Sequence, residues 1–131
     1  MERREFLSVI PSLAWLWAGK LPIPSPPEPV SRRLIQSCSV AGFQFYEGPK
    51  ASPSIAPGDR LALLREPGNP YDPLAVAVHW RSRKLGYLPR DVNGLPSSLL
   101  DQGRTVYATV AAKRESREPW RRLEIDLWLE G

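Results

Sequence analysis

Leu74-Ala75-Val76-Ala77-Val78-His79-Trp80, continuing through Arg81-Ser82-Arg83 into Lys84-Leu85-Gly86-Tyr87-Leu88, decides the fold. Leu74, Val76, Val78 and Trp80 alternate with Ala75, Ala77 and His79. A period of two is the mark of a strand with one buried face. Arg81 to Arg83 forms a tight turn into a second, glycine-centred strand over Lys84–Leu88.

Similar segments lie on both sides. Arg60-Leu61-Ala62-Leu63-Leu64-Arg65 is a short apolar run, bracketed by Pro57-Gly58-Asp59 and Glu66-Pro67-Gly68-Asn69-Pro70. Thr105–Lys113 and Leu123–Leu129 supply two more alternating runs. Near the start, Leu34, Cys38 and Val40 are spaced by even numbers, as on one strand face. One helix fits the chain: Pro96 and Ser97 sit where it would start, after a turn at Asp91-Val92-Asn93, and Gly103 would stop it after Gln102. Five or six strands with one or two short helices predict a mainly β domain, a small OB-like or SH3-like barrel.

Composition agrees. Fifteen prolines and nine glycines in 131 residues are more than an all-helical chain tolerates, and they suit short strands joined by turns. No apolar run reaches the roughly 18 residues that a membrane-spanning helix needs. The single cysteine, Cys38, excludes an internal disulfide and a cysteine-based zinc cage, and in its strand pattern it reads as a small core residue.

Eighteen Lys and Arg against fourteen Asp and Glu give a formal charge of +4. Residues 1–30 balance Arg3, Arg4 and Lys20 against Glu2, Glu5 and Glu28, so the excess lies beyond them. A polyanionic partner is compatible with that surplus but not demanded by it.

The amino-terminal part reads separately. Residues 1–21 open with Arg3-Arg4-Glu5-Phe6-Leu7 before an apolar stretch, which resembles a twin-arginine export signal. Pro11 interrupts that stretch and no clear small-x-small cleavage site follows, so a flexible arm is the other reading. Residues 22–32 are proline-dense (Pro22, Pro24, Pro26, Pro27, Pro29) and favour an extended linker. The domain proper is expected over 33–131. A functional signal would make the protein periplasmic; otherwise a DNA partner implies the cytoplasm.

Catalytic constellations do not emerge. His79 is the only histidine, lies between Val78 and Trp80, and has no Ser or Cys nucleophile close in sequence. No phosphate-binding loop of the G-x-x-x-x-G-K-[ST] type is present, no carboxylate pair stands out, and no residue set calls for a metal or organic cofactor. Binding is the better class of function.

Three segments concentrate rings, hydrogen-bonding groups and arginine: Val40–Gly48, Arg65–Val78 and Lys84–Arg90. Their order resembles the HIRAN domain, from about Leu34 to Leu129. The most specific piece is Glu66-Pro67-Gly68-Asn69-Pro70-Tyr71-Asp72, followed by an Ala-x-x-Val strand and Leu85-Gly86-Tyr87-Leu88. The resemblance implies an OB-like fold and capture of the free 3′ end of single-stranded DNA. It also implies site residues: Phe45 and Tyr46 as a stacking pair, Tyr71 as the pocket ring and Asp72 as acceptor for the terminal hydroxyl. Asn69 and the turn's N–H groups would hold the last nucleotide, Arg90 a phosphate, and Tyr87 occupies a position where a polar ring is often found.

Three departures accompany the match. Gln44 stands where characterised members carry arginine, Gly68 replaces an asparagine, and Phe45 replaces a tyrosine. Weaker binding that leans on general charge is the consequence expected of them, with Arg65, Arg81, Arg83, Arg104, Arg121 and Arg122 as possible compensation.

Each residue also has a purely structural reading. Phe45 and Tyr46 could be rings at a strand end, Asn69–Asp72 only a turn, and Arg90 a solvated charge. Two other functions fit the same barrel: an exported or envelope-associated protein- or ligand-binding module, or an accessory subunit of a helicase or nuclease.

Overall fold

The computed structural model describes residues 31–114 and 123–131. The stretch resembling an export signal, nearly all of the proline-dense segment, and Arg121 and Arg122 lie outside the described residues.

Six strands form one antiparallel sheet: β1 (Arg32–Ser39), β2 (Arg60–Arg65), β3 (Val76–Trp80), β4 (Arg83–Tyr87), β5 (Thr105–Lys113) and β6 (Leu123–Glu130), in the order β1-β6-β5-β2-β3-β4. Two short helices, α1 (Gly48–Ala51) and α2 (Gly94–Asp101), join 3-10 turns at Phe43–Phe45 and Ser52–Ser54. No helix among the described residues is long and apolar enough to cross a membrane.

The two edge strands meet. Just past β1, Ala41 donates its N–H to the Tyr87 carbonyl at 2.8 Å and accepts the Tyr87 N–H at 2.9 Å. This single bridge turns the sheet into a small, partly open barrel around one core. Leu61 and Leu63 from β2, Val76, Val78 and Trp80 from β3, Leu85, and Ile125 and Leu127 from β6 fill it.

The strand periods hold with local exceptions. Leu74 is exposed and precedes β3, because its N–H donates to the Asp72 carboxylate in a turn. Ala75 and Ala77 are buried along with the valines; Ala77 is flanked in register by Leu64 and Tyr87, whose side chains cover so small a neighbour. In β1 the register slips at Ile35, which puts Leu34 (53% exposed) out of phase with Cys38 and Val40. Ile35 packs on the core instead, as does Cys38, whose thiol burial pushes up to about 12. The linker segment also ends one residue early, since β1 begins at Arg32. Helix α2 starts at Gly94, two residues before Pro96, which is tolerated there because the first-turn N–H groups have no partner within the helix.

A second slip, in β4, decides which side chains share its outer face. Val78 pairs with Gly86 but His79 pairs with Lys84, so Leu85 is the extra residue. Without this bulge Lys84 and Tyr87 would point to opposite faces. With it, both lie on the outer face with Ala77 and His79, while Leu85 enters the core.

Gly86 makes the closure sterically possible. Its φ is +153°, and a Cβ added there would stand 2.3 Å from the Ala41 carbonyl oxygen. Gly86→Ala is therefore expected to destabilise the domain by about 2–4 kcal/mol, through a forced shift of the closing bridge. Gly68→Ala, with nothing within 4 Å of the new Cβ, is expected to stay within about 0.5 kcal/mol. Denaturant unfolding of both variants checks the contrast, and equal stabilities would show that the bridge is dispensable.

Candidate nucleic-acid interface

An open cleft of about 730 Å³ lies between the segment that follows β1 and the turn joining β2 to β3. Phe45, Tyr46, Asn69, Tyr71, Asp72, Tyr87 and Arg90 all line it, so the structure brings the seven residues that the resemblance implied for the site to one place. Ala41, Gly42, Glu66, Gly68, Pro70, Ala75 and Leu88 complete the wall.

The rim ahead of α1 is rigidly held. Gly42 adopts φ +74°, opening the 3-10 turn Phe43–Phe45. Phe43 is buried in the core, and Gly48 packs so tightly on it that a Cβ would meet its ring at 2.6 Å. Beyond the turn, the Glu47 N–H donates to the Lys84 carbonyl at 2.9 Å. Phe45 and Tyr46 thus belong to a turn rather than a strand end, and both remain available: Phe45 is 78% exposed and Tyr46 40%. Gln44, just before Phe45, does not line the cleft.

The opposite rim is a turn that satisfies itself. Asn69 Oδ1 accepts the N–H groups of Tyr71 (2.9 Å) and Asp72 (3.2 Å). Its Nδ2 reaches Glu66 Oε1 at 3.2 Å and the Tyr87 hydroxyl at 3.4 Å. All four hydrogen-bonding capacities of that amide are in use, and two of the turn's N–H groups are consumed with them. Asn69 shapes the cleft wall rather than offering a free polar group to it.

Pro70 and this turn hold the Tyr71 ring out into solvent, at 82% exposure. Arg90 Nη2 donates to the Tyr71 carbonyl at 2.7 Å, and Arg90 Nε lies 3.9 Å from Asp72 Oδ2. The guanidinium stays largely exposed.

Asp72 is a capped carboxylate with capacity to spare. Oδ1 accepts the Leu74 N–H at 2.9 Å, and Oδ2 accepts from Asn93 Nδ2 at 2.8 Å. The Leu74 N–H and the Asn93 amide, with Arg90 and Arg65 nearby, hold it below the usual carboxylate range. Each oxygen keeps a lone pair, so the group can cap its own turn and still accept a donor from the cleft.

At the cleft floor stands an ion-pair network involving two residues that were only quoted in the sequence motifs. Lys84 Nζ donates to Glu66 Oε2 at 2.9 Å and also to the Tyr87 hydroxyl, which donates to Glu66 Oε1 at 2.7 Å. The ammonium lies 4.3 Å from the Tyr87 ring centroid and 5.0 Å from that of Tyr46, and those two rings meet edge-on at 5.6 Å. Partial burial pushes the Glu66 carboxyl up, but its bonds from Tyr87, Lys84 and Asn69 outweigh this and leave it below its ordinary value. Lys84 is likewise opposed by burial and raised by its two partners, while burial raises Tyr87. Strand spacing alone would have set Lys84 and Tyr87 on opposite faces, so only the β4 bulge reveals the network.

Charge around the cleft is balanced: Arg90 on its wall pairs with Asp72, and Lys84 behind the wall pairs with Glu66. Two of the arginines proposed to compensate are engaged elsewhere. Arg65 pairs with Asp101 at 2.8 Å, and Arg81 lies over the Trp80 ring at 4.3 Å. Among the described residues no group of three His, Cys, Asp or Glu side chains could hold a metal ion. Flat rings on both rims, a carboxylate and an exposed guanidinium suit a ligand that combines a planar ring, a hydroxyl and a phosphate.

The HIRAN domain family model matches residues 35–130. No curated protein matches the chain. Among solved structures, a protein from Lactobacillus plantarum is similar over 76% of this chain and 96% of its own, with 28% identity and a TM-score of 0.65. The HIRAN domain of human HLTF is similar in fold, covering 75% of this chain and 79% of its own at 22% identity and a TM-score of 0.54.

The floor network gives a measurable consequence. The Glu66 contribution to stability is whole above the ordinary carboxyl value of 4.5 and fades as the pH drops below it, because the folded value is depressed. Lys84→Met should move the Glu66 titration upward and lower stability at pH 7 by about 1–2 kcal/mol, through loss of a charge-assisted bond. Carboxyl NMR with denaturant unfolding checks both, and an unmoved Glu66 titration would refute the coupling.

Proposed function

The chain belongs to the HIRAN domain family, a family of DNA-binding modules, and from that membership and the geometry of the cleft we propose that it captures the free 3′ end of single-stranded DNA. One observation carries the reading: Phe45 and Tyr71 present exposed ring faces on opposite rims of a cleft that also holds the Asp72 carboxylate.

Ring faces stack on any base, contributing about 1–3 kcal/mol each without reading sequence. Asp72 supplies the selectivity. A terminal 3′-hydroxyl can donate to it, whereas an internal nucleotide or a 3′-phosphate brings negative charge against an ionised carboxylate. Arg90, anchored on the Tyr71 carbonyl but exposed at its tip, meets the last phosphate. Tyr46 and Tyr87, set edge-to-face above Lys84, form the inner wall on which the terminal base comes to rest.

In this reading the module binds and does not transform its ligand. The sequence carries no phosphate-binding loop of the ATP-binding type, and a partner helicase would supply any ATP-driven step on the captured end. A DNA partner also implies a working place in the cytoplasm.

Paired oligonucleotides differing only in a 3′-hydroxyl or 3′-phosphate test the selectivity. The hydroxyl form is expected to bind more tightly, and equal affinity would remove Asp72 from end reading. Tyr71→Ala is expected to weaken binding by about 1–3 kcal/mol. No loss would assign that ring to the scaffold alone. Fractionation of the full chain with Arg3 and Arg4 changed to Lys tests the address: periplasmic recovery that depends on both arginines would overturn it.

A further inference from the structure

We propose that Asn93 is a positioning residue of the cleft, its amide fixing the orientation from which the Asp72 carboxylate meets a terminal hydroxyl. The inference rests on the reading of Asp72 given above and adds a residue outside the cleft wall.

Asn93 lies at the amino end of α2, 21 residues from Asp72, and is only 2% exposed. Asparagine at that position ordinarily turns its side chain back to cap the helix's first N–H groups. Here no such cap bond forms. The amide instead donates Nδ2 to Asp72 Oδ2 at 2.8 Å. A buried polar side chain diverted from its local task to a distant carboxylate is placed there for the carboxylate's geometry.

The other end of α2 grips the same turn. Asp101 accepts from Arg65 Nε at 2.8 Å and Nη2 at 3.2 Å, and Arg65 Nη1 donates to the Ala75 carbonyl at 3.0 Å. Arg65 immediately precedes the turn and Ala75 closes it, with the Glu66 N–H bonded to the Ala75 carbonyl at 3.0 Å. Helix α2 thus braces the Glu66–Ala75 loop through Asp101 at its stem and Asn93 near its tip. The stem contact holds the loop in place; the tip contact holds one functional group.

Charge around Asp72 is arranged to match. Arg90, 3.9 Å from Oδ2, and Arg65 are the cations that act on it, and Asn93 is the neutral donor. Donation by Asn93 occupies one lone pair of Oδ2 and keeps the carboxylate from rotating, so its remaining acceptor sites point in fixed directions.

The full chain carrying Asn93→Leu, with Asn93→Ser in parallel, tests this. Serine is a good helix cap but too short to reach Asp72, so it keeps α2 formed if the leucine chain does not fold. Two readouts separate the possibilities. Carboxyl NMR should show the Asp72 titration moving upward in either variant, and an unchanged titration overturns the positioning role whatever the ligand. Affinity for 3′-hydroxyl oligonucleotides should fall roughly tenfold while binding of 3′-phosphate forms changes little, as expected for a lost contact to a charged group. A variant that melts at lower temperature yet keeps the wild-type hydroxyl preference overturns the inference, because Asn93 is then only structural. A wild-type chain with no hydroxyl preference overturns the end-reading role of Asp72 instead, and with it the functional part of this proposal; the titration still decides the geometric part.

Discussion

The two hydrogen bonds between Ala41 and Tyr87 are the constraint on which the rest of the site depends. An antiparallel sheet with free edges would leave the chain after β1 without a fixed place. Closing on β4 holds Gly42 and the 3-10 turn behind it against the barrel, and Glu47 secures the far side by bonding to Lys84. Phe45 and Tyr46 stand on that short span. The closure needs two backbones nearly in contact, which only a residue without a Cβ allows, and that residue is Gly86. One glycine in the middle of β4 therefore fixes both the barrel and one rim of its cleft.

Most of the strand positions along the chain were legible in the sequence, because period-two alternation and turn residues are local signals. β2 spans the run bracketed by Pro-Gly-Asp and Glu-Pro-Gly, and β5 spans the run read from Thr105 to Lys113. The bulges were not legible. A slip of one residue at Ile35 or Leu85 leaves composition unchanged yet swaps the faces beyond it, so Leu34 read as inward and is exposed. The convergence of Phe45, Tyr71 and Asp72 on one cleft was suggested by motif order, but the polar frame behind them was not. Glu66, just past β2, meets Lys84 of β4 across 18 residues and Asn93 meets Asp72 across 21, and such pairings follow from tertiary packing alone.

Polar and aromatic groups divide the work of the cleft. The polar side chains of Asn69, Glu66 and Lys84 bond mainly to one another, whereas Phe45 and Tyr71 keep their ring faces toward solvent. A frame whose hydrogen bonds are already made loses little conformational freedom when a ligand arrives. Exposed rings have the opposite character: the water they hold is released on stacking, so their contribution appears only in the complex. The arrangement favours flat ligands for affinity and leaves discrimination to the few polar groups with capacity to spare, Asp72 and Arg90.

That division bears on the role of charge. The departures at Gln44, Gly68 and Phe45 led to the expectation that general charge would sustain binding. At the cleft, however, Arg90 on the wall and Lys84 behind it are matched by Asp72 and Glu66, while Arg65 and Arg81 are committed to Asp101 and Trp80. On the proposed reading, a balanced cleft would release few counterions on taking up a single nucleotide, and ring contact would carry more of the affinity than salt-dependent attraction. The carboxylates that cancel the local positive charge also hold the turn: Glu66 accepts from the Asn69 amide, and Asp72 from the Leu74 N–H. A strongly basic cleft would hold any phosphate along a strand, and an internal nucleotide would then compete well with an end. On the proposed reading, near-neutrality would weaken that competition and leave Asp72 to tell a terminus from the middle of a strand.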